Sequence, residues 1–203
     1  RNLDADYIVI DLGAGTSYNT VDFFLLADSQ LMVVIPEPTS IENAYRFIKN
    51  SFFRQIFHNS KNFGLKSVLT PILRKDNPYK VNTPKELIDY LNKLGGSSTV
   101  FIEEQLQIFL PKIILNQVRT ERDQQVGPAM KAACSKYFNL NMSFLGYISE
   151  DESVWKSVLD RKPLAVAYPD GVPMQQLKSI CSDILLEETE LAAKNNLLSQ
   201  LAL

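Results

Sequence analysis

The residues with the clearest chemical potential lie near the start of the chain, in Tyr7-Ile8-Val9-Ile10-Asp11-Leu12-Gly13-Ala14-Gly15-Thr16-Ser17. An apolar, β-branched run ends there in a carboxylate and then in a turn of small residues. Ligands of open α/β sheets bind at the carboxyl ends of the strands, so the pattern predicts a strand that delivers Asp11 to that edge. Hard cations choose oxygen ligands, which suits Asp11 to Mg²⁺, held directly or through water. Gly13, Ala14 and Gly15 are small enough for backbone N–H groups to approach a terminal phosphate. The same spelling also makes a plain tight turn in α/β proteins without nucleotide, and this segment alone leaves both readings open.

Other chemistries are excluded more simply. His58 is the only histidine, so neither a His-based nucleophilic triad nor a His metal cluster can be built within the chain. Cys134 and Cys181 are far apart without metal-ligand spacing, and both fall on apolar positions of helical patterns, which predicts two buried, reduced thiols. With 21 Lys and Arg against 23 Asp and Glu, the net charge of -2 provides no global field for a polyanion; any such site must be local. The one basic and aromatic cluster contains Arg46, Lys49 and Arg54 among Phe52, Phe53 and Phe57. It suits a partner helix or DNA, but the negative net charge favours a solvated helix face over a core stripe, and DNA is the less favoured partner.

These groups need a scaffold, and 203 residues at 45% hydrophobic suffice for one well-filled domain. Residues 7–10, 31–35, 112–118 and 144–148 are short apolar runs rich in β-branched side chains, as expected of parallel strands buried on both faces. Helical patterns over 18–27, 41–56 and 124–138 alternate with them, which predicts a doubly wound, mainly parallel α/β sheet. Thr39 and Glu42 have capping-box spacing ahead of the stripe Ile41, Ala44, Tyr45, Ile48, Phe52 and Ile56. Residues 58–110 read as a helical insertion. Within it, Thr83-Pro84-Lys85-Glu86 spells an N-cap, a first-turn proline and a capping glutamate, Gly95-Gly96 stops that helix, and 100–110 forms another. A terminal helix follows from Met174 through Leu185, then a tail, 191–203, whose acidic polar face favours docking on the domain over membrane binding. A first residue other than Met, so close to a strand that needs neighbours on both sides, leads us to expect a domain lacking its N-terminal part.

Four segments in order, Asp11-Leu12-Gly13-Ala14-Gly15, Pro36-Glu37-Pro38-Thr39-Ser40-Ile41-Glu42-Asn43-Ala44-Tyr45, Ile114-Leu115-Asn116-Gln117-Val118 and Leu145-Gly146-Tyr147-Ile148-Ser149-Glu150-Asp151, resemble the MinD/ParA family of P-loop ATPases. The closest likeness is to the branch that includes the flagellar-number regulators FlhG and FleN. The resemblance spans most of the chain outside the insertion. It implies a MinD-like P-loop NTPase fold, ATP and Mg²⁺ as cofactors, an ATP-dependent homodimer and slow hydrolysis. It also implies a regulatory protein partner, a cytoplasmic setting with peripheral contact at the inner face of the membrane, and a role in positioning or counting an assembly such as flagella or the division site.

By the same resemblance, Asp11 is the catalytic, Mg-side aspartate, and Gly13, Ala14 and Gly15 sense the γ-phosphate. Asn116 reads the adenine edge, for which an amide offers both a donor and an acceptor; an Asn there also suits an ordinary turn. Ser149, Glu150 and Asp151 border the base, Ser149 standing where the family usually has proline. The family's Gly- and Lys-rich phosphate loop is missing, so these residues by themselves should not hydrolyse ATP. A catalytically inactive interaction module on the same fold is the alternative, and a ParA-like DNA-partition protein a further one.

Overall fold

The computed structural model describes residues 4–15, 17–74 and 76–201, with residues 188–201 described by their helical backbone alone. Helix α1 (Tyr18–Leu26) begins where the Ser17 side chain accepts the Thr20 N–H at 3.3 Å, and it buries Val21 and Phe24. Strand β1 (Leu31–Val34) leads into the long helix α2 (Pro38–Asn59), which buries Ala44, Ile48, Phe52 and Ile56 as the apolar stripe predicts. Its start differs from expectation. Glu37 is the N-cap and makes no side-chain cap, because Pro38, preset to helical φ, starts the helix ahead of Thr39. Thr39 and Glu42 thus lie inside the helix, where Glu42 accepts from Arg46 at 2.6 Å.

A 3₁₀ turn (Ser60–Phe63) and the short α3 (Lys66–Leu69) precede α4 (Pro84–Leu94), whose capping box is formed as the sequence spells it. The Thr83 hydroxyl accepts the Glu86 N–H at 3.2 Å, and the Glu86 carboxylate accepts the Thr83 N–H at 3.0 Å. Helix α4 ends at Gly95, and α5 (Ser97–Ile108) follows. A buried polar lock joins α5 to α2. Gln55 Nε2 donates to the carbonyl and side-chain oxygens of Gln105 at 3.1 and 3.2 Å, and Asn59 Nδ2 donates to the same side-chain oxygen at 2.6 Å. The chain continues through β2 (Lys112–Val118), α6 (Glu121–Gln124), α7 (Val126–Ala133) with a π turn (Cys134–Phe138), and β3 (Ser143–Ser149). It finishes with α8 (Glu152–Leu159), α9 (Leu164–Ala167) and α10 (Val172–Leu201). The side chains of the tail, 191–203, lie outside the described residues.

The three strands are parallel and stand in the order β1-β2-β3. Right-handed crossovers that step in one direction place their helices on one face. The main core accordingly joins Met32, Val34, Ile113 and Leu115 to α2, α4, α5 and α7. On the opposite face Ile114 and Leu145 cluster with Ile180 of α10, with Ile148 and Ile184 packed against them, and Lys112 Nζ reaches Glu187 at 2.8 Å. Beyond the reach of α10, Leu31 and Val33 stay 40% and 64% exposed. The fold is therefore α/β with a small parallel sheet. Winding in both directions is not seen, since the strand order never reverses among the described residues, and β1 is buried on one face instead of two.

The expected strand at residues 7–10 is not formed. Tyr7, Ile8, Val9 and Ile10 are 66%, 53%, 92% and 51% exposed and enter no ladder. Strand propensity does not replace hydrogen-bonded neighbours, and β1, the nearest strand in sequence, pairs only with β2. Cys181 is exposed, in contrast to Cys134; one residue beyond the buried Ile180, it is turned about 100° around α10, off the packed face. Among the described residues no helix is long and apolar enough to cross a membrane.

Candidate functional site

Residues 12–15 lie along a cavity of about 710 Å³ that extends beside β1 to the first turn of α2. Gly13, Ala14 and Gly15 line it together with Thr20 and Phe24 of α1, the four residues of β1, and Thr39, Ser40 and Asn43 of α2. Three local features make its rim open to an anion. A Cβ built on Gly13 or Gly15 would meet nothing within 4 Å, and Gly15 has φ +137°, a conformation that L side chains rarely adopt. The first turn of α2 has no side-chain cap, which leaves its N–H groups available at the positive end of the helix dipole. Ser40 is engaged otherwise: its hydroxyl accepts the Ile35 N–H at 3.2 Å.

The charge of this cavity does not suit a whole triphosphate. Among the described residues its one cationic side chain is Arg46, which is paired with Glu42 at 2.6 Å, both side chains being well exposed. The exposed apolar side chains of Leu31 and Val33 also face it. The turn at Gly13, Ala14 and Gly15 is open, but this residue set does not supply the positive charge that P-loop chemistry requires. Asp11 is exposed and precedes the lining residues. Among the described residues no group of three or more His, Cys, Asp or Glu side chains converges on a point. Asp11 therefore fits only a Mg²⁺ that keeps most of its waters and takes one or two carboxylates.

The remaining predicted residues sit at the carboxyl ends of β2 and β3, and none of them lines this cavity. Asn116 is half-buried next to a kink in β2, where Gln117 has φ +57° and the register with β3 shifts. The Asn116 side-chain Oδ1 accepts the Gln117 N–H at 3.0 Å, a local side-chain-to-backbone bond of the kind asparagine makes in turns, which leaves its amide NH₂ to donate. Ser149, Glu150 and Asp151 are all engaged in holding the fold. Gln176 of α10 clasps Ser149, accepting its N–H at 2.8 Å and donating to its hydroxyl at 2.9 Å. Glu150 takes Arg119 in a two-pronged ion pair, with Nη2 donating at 3.1 Å, and that hydrogen bonding raises the Arg119 pKa above its ordinary value. Asp151 caps α8 by accepting the Ser153 N–H at 2.8 Å.

Sequence reasoning overlooked Arg119 and Gln176. Arg119 stands one residue past the end of β2, a position that could have drawn attention to it; Gln176 gave no signal, because its partner is 27 residues away in sequence. The predicted basic surface is divided between two places. Arg46 borders the cavity beside β1, whereas Lys49 and Arg54 border a second one between α1, α2 and residues 72–82. No protein-family model matches this chain, and no curated protein matches it.

Proposed function

We propose that this chain is the latter part of a MinD/ParA-like, ATP-dependent switch protein, with a P-loop NTPase fold that extends beyond the three strands described. In this reading the intact protein forms a homodimer in Mg-ATP, hydrolyses it slowly and positions or counts a cellular assembly, at the cytoplasmic side of a membrane and with a regulatory protein partner. The support is the order of four sequence segments on a parallel α/β scaffold. The observation that carries it furthest is the open turn at Gly13, Ala14 and Gly15, placed directly ahead of α1 and beside the uncapped start of α2. Such a turn can bias a switch, because a phosphate contacting it stabilises one position of α1 over another. Asp11 is this chain's carboxylate for the metal, and the Asn116 amide is its donor for the base.

The test is calorimetric titration of Mg-ATP into the full-length protein, with sedimentation to follow its size, for the wild type and Asp11→Ala. Saturable binding and ATP-driven dimerisation in the wild type alone are expected. A protein that stays monomeric and takes up no ATP would remove the proposal. A non-enzymatic interaction module on the same scaffold would then remain, favoured by the engagement of Ser149, Glu150 and Asp151 in structural contacts.

A further inference from the structure

The second cavity, of about 600 Å³, is walled on one side by aromatic residues of α1 and α2 and on the other by aliphatic residues of the 72–82 segment. Among the described residues three cations border it, Lys49, Arg54 and Arg74, and no carboxylate does. Arg54 is committed: it donates two hydrogen bonds of 2.9 Å to Asp22 and lies 4.9 Å from the ring centroid of Tyr18. Lys49 and Arg74 make no ion pair among the described residues, and Lys49 is half-buried. The Glu86 carboxylate is itself occupied by the Asn82 and Thr83 N–H groups, which hold it below its ordinary pKa with help from Lys49.

The charge around this cavity is opposite to that of the chain as a whole. Residues 42–86 hold nine of the 21 Lys and Arg but only three of the 23 Asp and Glu. An incoming carboxylate would meet complementary charge at Lys49 and Arg74, neither of which is held in an ion pair among the described residues. Single-stranded nucleic acid needs a groove that follows its phosphates, whereas this cavity sets its cations around a compact space between aromatic and aliphatic side chains. The volume instead matches a few side chains with an apolar anchor at the centre and charge at the rim.

We infer that this cavity is the docking site for an acidic segment of a partner protein, whose aromatic or aliphatic anchor sits between Phe53, Phe57 and Ile72 while its carboxylates pair with Lys49 and Arg74. The site shares no lining residue with the cavity beside β1.

The probe is a fluorescein-labelled synthetic peptide with Asp and Glu flanking a central Phe-Leu pair, followed by anisotropy against the full chain. A peptide with Lys replacing Asp and Glu, an oligo-dT strand and vesicles rich in anionic lipid serve as comparisons. The acidic peptide should bind saturably and more weakly as salt rises, and Lys49→Glu with Arg74→Glu should weaken it at least tenfold. Lys49→Gln with Arg74→Gln, a milder pair, should weaken it in the same direction with unchanged circular dichroism. Equal binding of the lysine peptide, or undiminished binding by the folded double variants, overturns the inference. So does tighter binding of oligo-dT or vesicles that is lost in the same variants, since the site would then belong to a nucleic acid or a lipid surface.

Discussion

Replacing Gly127 by alanine tests the packing of α7 on the sheet through the sign of its effect. In an open helical position this change stabilises by about 1 kcal/mol, since alanine loses less backbone freedom on folding than glycine. Here the added Cβ would stand 2.3, 2.5 and 2.6 Å from three ring carbons of Phe144 on β3. Comfortable carbon contacts lie at about 3.5–4.0 Å, so the ring or the helix must move by roughly 1 Å. Gly127 is buried and the Phe144 ring packs on the main core, which leaves little room for that shift. Overpacking of this kind costs about 1–3 kcal/mol; set against the helical gain, a net loss of about 1 kcal/mol is expected. Urea denaturation of wild type, Gly127→Ala, Phe144→Ala and the double variant measures it. In the Phe144→Ala background the same Gly127→Ala change should become neutral or stabilising. Pro128 follows Gly127 and disfavours helical conformation for a residue with a Cβ, but that penalty would persist without the ring, so the double variant separates the two causes. A wild-type-like Gly127→Ala, or an equal loss in both backgrounds, would refute the reasoning.

Thr83→Ala should cost about 1 kcal/mol through loss of a working cap, whereas Thr39→Ala, at a similar motif that forms no cap, should cost under about 0.5 kcal/mol; urea midpoints of the two variants decide between them. Burial pushes the Cys134 thiol up to about 12 while Cys181 is exposed, so a thiol-reactive dye at pH 8 should label one cysteine in the folded chain and two after unfolding. The Asp22 carboxyl lies below its ordinary value because it accepts hydrogen bonds from Arg54. Its contribution to stability is therefore complete above the unfolded-state pKa near pH 4 and is lost as the pH falls through the lower native pKa. Melting temperatures from pH 7 down to pH 2 should show Asp22→Asn below wild type at neutral pH and the gap closing in acid; a constant gap would contradict the pairing.

How much the sequence revealed depended on how local the deciding physics was. Helix α2 followed from its apolar spacing, the cap of α4 from four adjacent residues, and β2 from one continuous apolar run. Residues 7–10 carried as strong a strand pattern as 31–34, yet only the latter is a strand, because pairing depends on a neighbour that the pattern itself cannot supply. The cap at Thr39 and Glu42 failed for a local reason that could have been read, the proline at position 38. At the candidate site, the open turn at Gly13, Ala14 and Gly15 was legible from residue size. The engagement of Glu150 by Arg119 and of Ser149 by Gln176 was not, since those contacts span 31 and 27 residues. The cavity bordered by Lys49 was only half visible: α2 announced its cations, but Tyr18 and Arg74 come from segments brought together by folding.

The spacing of the strands along the chain also sets an order of assembly. Pairing β1 with β2 joins Leu31 to Lys112, whereas pairing β2 with β3 joins Lys112 to Ser143. Loop-closure entropy grows as the logarithm of the enclosed length, so the first closure costs roughly 0.8 kcal/mol more than the second before either gains a contact. The half made of β2, α7 and β3 is thus the favoured nucleus, and β1 docks on it after the helices from α2 to α5 have shortened the distance that the intervening chain must span.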